Sequence, residues 1–106
     1  MDIPEISVQE LATLRNTNTD FLILDVRNPD EYEICNLGGH LIPFKELPSY
    51  LDKLNPDQLI IVHCHAGGRS RRATELLIRA DFKNVKNLRG GITAWANEID
   101  PNMPKY

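Results

Sequence analysis

The stretch Leu59-Ile60-Ile61-Val62-His63-Cys64-His65-Ala66-Gly67-Gly68-Arg69-Ser70-Arg71-Arg72 constrains the fold of this chain more tightly than any other part of it. The short apolar run at its start reads as a buried strand over 59–63. The run ends at a cysteine, small residues and glycines follow, and a segment of helical spacing begins near Ser70. In an open parallel sheet ligands bind at the carboxyl ends of strands, and Cys64 sits at such an end. The first turn of the following helix offers unpaired N–H groups and the positive end of the helix dipole, so an anion is readily held there. The same field favours thiolate over thiol, and Arg69, Arg71 and Arg72 add full positive charges close by. Cys64 is therefore a candidate nucleophile.

Short strands and helices alternate along the rest of the chain. Expected strands lie at 3–6, 21–26, 41–42 and 85–88. The run at 21–26 is continuously apolar, which suits a strand covered on both faces. Ser7 and Glu10 form the pattern of a capping box for a helix that ends near Arg15. Asn28-Pro29-Asp30-Glu31 opens a short helix carrying Tyr32 and Cys35. A helix is expected over 46–54 with Leu47, Leu51 and Leu54 inward and Pro48 tolerated in its first turn. Another covers 70–80, with Ala73, Leu76, Leu77 and Ala80 as its apolar stripe, and a last one covers 92–99 with Trp95. Residues 100–106, with Pro101 and Pro104, read as an irregular tail. The fold class is thus α/β: one domain over 1–106, with a central parallel sheet and helices on both faces.

Composition narrows the partners. A net charge of -3 argues against nucleic-acid binding, and the apolar runs are too short for a membrane span. The first residues have neither a basic segment nor an apolar one, so no secretory signal is expected. Cys35 and Cys64 lack a CxxC pairing and make no disulfide framework. Together these point to a reduced, cytoplasmic protein. Three histidines and two cysteines without ligand spacing make no metal site.

The loop itself offers a cradle for one atom bonded to the Cys64 sulfur. Backbone N–H groups of 65–69 converge there, because Gly67 and Gly68 permit unusual dihedrals and close approach. At this point the sequence resembles the rhodanese family of sulfurtransferases, whose active loop Cys-x-x-Gly-x-Arg-Ser is matched by Cys64-His65-Ala66-Gly67-Gly68-Arg69-Ser70. Two further blocks resemble the family in the right order. They are Leu24-Asp25-Val26-Arg27 with Pro29, Glu31-Tyr32 and Gly39-His40-Leu41-Ile42-Pro43, and then Leu88-x-Gly90-Gly91-Ile92-x-x-Trp95. The resemblance implies that Cys64 accepts sulfane sulfur, becomes a persulfide and passes the sulfur to a thiol, cyanide or a protein. It implies that Arg69 binds an anionic donor such as thiosulfate and stabilises the persulfide, within a binding loop of His65, Ala66, Gly67, Gly68 and Ser70. No organic cofactor is implied.

His63-Cys64 followed by Arg69-Ser70 also resembles the cysteine phosphatase signature, but four residues lie between Cys64 and Arg69 where that signature has five. The shorter loop suits a single sulfur atom better than a phosphoryl group. Phosphate or arsenate chemistry, and a non-catalytic interaction module on the same fold, are the alternatives. Ile34-Cys35-Asn36-Leu37 and the ending Asp100-Pro101-x-x-Pro104-x-Tyr106 are similar to the rhodanese domain of adenylyltransferases that activate ubiquitin-like sulfur carriers. That likeness implies a sulfur-carrier or desulfurase protein as partner.

Other polar residues have structural readings beside functional ones. Asp25 either orients the loop or forms an internal link with Arg27, and the internal link is preferred. His63 should face away from the Cys64 site, since adjacent strand residues point to opposite faces. His65 is expected to be exposed and to tune donor binding, and His40 to be structural. Cys35 is read as a buried helix cysteine in preference to a resolving thiol. Trp95 is expected to pack. Arg71 and Arg72 are either a funnel for an anionic donor or a solvated helix face, although arginines in a first helical turn oppose the dipole.

Overall fold

The structure, a computed structural model, describes residues 2–106. Five strands form one parallel sheet: β1 (Glu5–Ile6), β2 (Phe21–Asp25), β3 (His40–Leu41), β4 (Leu59–His63) and β5 (Val85–Leu88), in the spatial order β1-β5-β4-β2-β3. Helices α1 (Val8–Arg15), α2 (Pro29–Ile34), α3 (Gly68–Arg79) and α4 (Gly91–Glu98) and a 3-10 helix, Phe44–Lys53, make the connections. The α/β class and the parallel sheet agree with the alternation seen in the sequence.

β4 lies in the middle, paired with β2 on one side and β5 on the other, and every residue from Ile60 to His63 is fully buried. Its side chains alternate between two cores. Ile60 and Val62 join Leu24, Leu47, Ala73, Leu77 and Phe82 beneath α3 and the 3-10 helix. Ile61 joins Ile6, Val8, Leu11, Leu88, Ile92 and Trp95 beneath α1 and α4. Cys64 belongs to the first core and Cys35 to the second, and both are buried free thiols.

The expected capping box forms as read: the Ser7 hydroxyl accepts from the Glu10 amide at 3.1 Å, and the Ser7 amide donates to Glu10 Oε1 at 2.9 Å. Several details differ from expectation. The segment read as a helix over 46–54 is the 3-10 helix Phe44–Lys53, with Pro48 at its centre and not in its first turn. Pro48 has no N–H to close an α-type bond, and the tighter i→i+3 winding accommodates it. Helix α3 starts two residues before the expected Ser70, taking Gly68 and Arg69 into its first turn. Ala80, assigned to its apolar stripe, is exposed just past its end. Cys35 is buried but caps α2 from outside the helix.

Candidate active site

Helix α3 begins where the backbone turns sharply at Gly67, whose φ of 121° only glycine adopts without strain. That turn folds the loop back over the end of β4 and brings the Gly67 N–H to 3.1 Å from Cys64 Sγ. The thiol donates to Ser70 Oγ at 3.4 Å, and the Ser70 hydroxyl donates to the Gly67 carbonyl at 3.2 Å. The N–H groups of Gly68 and Arg69, in the first turn of α3, have no partner within the helix. The sulfur thus sits at a helix N-terminus among donors. Cys64 is only 1% exposed, yet it lines a cavity of about 350 Å³ with His65, Ala66, Gly68, Arg69 and Arg72.

The loop is held from behind by α4. The Ile92 amide donates to the Cys64 carbonyl and the Thr93 amide to the His65 carbonyl, each at 3.0 Å, and the Thr93 hydroxyl adds a bond to His65 at 2.9 Å. These bonds draw the two carbonyls towards α4. Gly91 makes the approach possible: a Cβ there would lie 2.5 Å from the His65 oxygen and 2.7 Å from the Cys64 oxygen, and its φ is +61°.

On the rim, Arg69 donates through both terminal nitrogens to Glu31 of α2, at 2.7 and 2.9 Å. This bidentate grip holds the Glu31 carboxyl at about 2, far below its ordinary value of 4.5. Glu31 also accepts from the Tyr106 hydroxyl at 2.8 Å. Burial pushes the Tyr106 phenol up to about 12, so it keeps the proton that it donates. The Tyr106 ring stacks on His65 with centroids 4.1 Å apart. Its oxygen accepts from Arg27 Nη1 at 2.9 Å.

Arg27 has no exposed surface and continues the network inward. It grips both oxygens of Asp25, with Nε at 2.9 Å from Oδ1 and Nη2 at 2.8 Å from Oδ2, and donates to the Cys35 carbonyl at 2.8 Å. Asp25 therefore has the internal role expected of it. His63 lies beside it on β4, with Nε2 3.6 Å from Asp25 Oδ2, on the face of the sheet away from the Cys64 side chain. Burial lowers the His63 pKa and keeps the ring neutral.

The loop residues named from the sequence come together: Cys64, His65, Ala66, Gly68 and Arg69 line one cavity, and Gly67 and Ser70 touch the sulfur. His65 differs from expectation, being half-buried under Tyr106 and not exposed. The ion pair of Arg69 with Glu31 and the participation of Tyr106 were not foreseen, although Glu31 and Tyr106 stand in stretches whose family likeness is visible in the sequence. Among the described residues, no group of three or more His, Cys, Asp or Glu side chains is arranged to hold a metal, and no helix is long and apolar enough to cross a membrane.

Comparison with known proteins covers nearly the whole chain. A family profile described as "Rhodanese-like domain" matches residues 7–98. A chloroplastic rhodanese-like/PpiC domain-containing protein of Arabidopsis thaliana is 38% identical over 112 residues, covering 98% of this chain and 38% of that protein. An adenylyltransferase and sulfurtransferase of Meyerozyma guilliermondii is 34% identical over 110 residues, covering 95% of this chain and 26% of the relative. The chain therefore spans well under half the length of these curated relatives. The crystal structure of a thiosulfate sulfurtransferase from Pseudomonas aeruginosa superposes with a TM-score of 0.80 at 31% identity, covering 90% of this chain and 19% of that one.

Proposed function

The chain belongs to the rhodanese-like domain family, and from that premise we propose that it is a sulfurtransferase carrying sulfane sulfur as a persulfide on Cys64. The observation that carries this reading is the placement of the Cys64 sulfur. It lies at a helix N-terminus, 3.1 Å from the Gly67 N–H and 3.4 Å from the Ser70 hydroxyl, at the edge of a cavity lined by Arg69 and Arg72.

With thiosulfate as donor, the Cys64 thiolate attacks the outer sulfur. A new S–S bond forms as the S–S bond of the donor breaks, and the electron pair leaves with sulfite. The negative charge then rests on the terminal sulfur of the persulfide, close to the unpartnered amides of the first turn of α3. When the Cys64 sulfur is ionised, the Ser70 hydroxyl turns its proton from the Gly67 carbonyl to the sulfur. Arg69, locked by Glu31, frames the loop beside the persulfide. In the second step a nucleophile attacks the terminal sulfur and the Cys64 thiolate leaves. Sulfur is transferred with no net redox change.

The likeness to an adenylyltransferase and sulfurtransferase supports a protein partner, either a desulfurase that supplies sulfur or a carrier that receives it. The test is intact-protein mass spectrometry of wild type and Cys64→Ser after incubation with thiosulfate. One added sulfur atom on the wild type only, removed by cyanide, is the expected result. Should neither thiosulfate nor a persulfidated desulfurase load Cys64, the sulfurtransferase reading falls. Turnover of an aryl phosphate by the same preparation would replace it with phosphatase chemistry.

A further inference from the structure

Two arginines line the cavity at Cys64, and their surroundings are unlike. Arg69 is fixed on Glu31 through both terminal nitrogens, so its positive charge is balanced by a carboxylate that stays ionised. Arg72 is exposed and lines the same cavity, and among the described residues no carboxylate lies within ion-pair distance of it. It stands four residues after Gly68, one helical turn on, and so on the same side of α3 as the residue where the loop joins the helix. Arg71 reaches instead towards Glu75, at 4.0 Å.

We propose that Arg72, and not Arg69, takes the negative charge of an anionic sulfur donor as it approaches Cys64. The inference rests on the sulfurtransferase reading above and deepens it by dividing two roles between the arginines. Attack by a thiolate on thiosulfate brings an anion onto a dianion, and sulfite leaves as a dianion from the same place. Both events are favoured by a mobile, uncompensated cation at the cavity wall. The Arg69 charge is already matched by Glu31, whereas the Arg72 guanidinium is free to swing to the donor. The position of Arg72 also lacks a structural reason. An exposed arginine with no ion-pair partner adds little to the packing of the helix.

The test measures two rates on wild type, Arg72→Gln, Arg72→Lys and Arg71→Gln, with thermal unfolding as a control on folding. The first is the rate of persulfide formation on Cys64 at subsaturating thiosulfate. The second is the ratio of alkylation rates at Cys64 by iodoacetate and iodoacetamide, which differ in charge and require no sulfur transfer. In Arg72→Gln both fall about three- to tenfold at low ionic strength, the range for losing one partly screened charge near a reacting anion. Arg72→Lys recovers most of the loss, and added salt slows the wild type more than Arg72→Gln.

An unchanged alkylation ratio in Arg72→Gln overturns the proposal, as does an equal fall in Arg71→Gln, which would assign the effect to the charge of the helix as a whole. If wild type gains no sulfur from thiosulfate or a persulfidated desulfurase while the ratio still falls in Arg72→Gln, the sulfurtransferase reading fails and the anion-recruiting role of Arg72 stands.

Discussion

Arg27 is a guanidinium without any contact with solvent, and its charge is tolerated because Asp25, the Cys35 carbonyl and Tyr106 surround it with acceptors. Removing one member of such a pair strands the other, which commonly costs about 3–5 kcal/mol. Arg27→Met should therefore lower the unfolding free energy in urea by that order and leave Asp25 as an uncompensated buried carboxylate. Glu31 and His63 give the fold a defined response to acid. Arg69 holds Glu31 at about 2 while the unfolded chain has 4.5, so its contribution is complete above pH 4.5 and is lost as pH falls towards about 2. Burial lowers His63 below 6.5, so the unfolded chain takes up that proton first and stability begins to fall once pH drops below 6.5. Urea midpoints measured against pH should decline through both windows, and Glu31→Gln should flatten the lower decline while leaving the upper one. Cys64 stands out in the sequence as a candidate nucleophile because its strand, glycines and arginine are consecutive. The Arg69–Glu31 and Tyr106–Glu31 pairs join residues 38 and 75 positions apart, and no local pattern in a single sequence marks such contacts.

At the scale of elements, the shape of the Cys64 loop depends on a helix that contributes no side chain to the sulfur. The first turn of α4 binds the carbonyls of Cys64 and His65, and Gly91 lets the two backbones meet. Gly91→Ala would combine a left-handed backbone with a clash against two carbonyl oxygens. A loss of about 2–4 kcal/mol in stability is expected from strain and overpacking together. Persulfide loading of whatever protein still folds should fall with it, as mass spectrometry after thiosulfate treatment would show. The central strands and the helices were largely legible in the sequence, since β2 and β4 are short apolar runs and α1 announces itself by Ser7 and Glu10. The failures have local causes. Pro48 turned an expected α-helix into a 3-10 helix, and the glycine at position 67 allowed α3 to begin earlier than side-chain periodicity indicated.

Across the whole molecule, the two ends of the chain meet the site and the sheet in different ways. The tail read as irregular places Tyr106 on His65 and ties it to Arg27 and Glu31, which are far from it in sequence. Tyr106→Ala removes a ring stack and two hydrogen bonds. A loss of about 1 kcal/mol, or roughly 4–8 °C in melting temperature, is expected and is readable by calorimetry. At the other end, β1 has a single neighbour in the sheet, β5, and Glu5 pairs with Asn87, 82 positions later. This pairing sets a timetable for synthesis. While the ribosome is still making the middle of the chain, the first strand has nothing to bind. β2 and β4 can join once the end of β4 has emerged, but the other edge of β4 is covered only when 85–88 arrive. Until then the newborn chain carries an open β4 edge, a template for pairing with wrong partners.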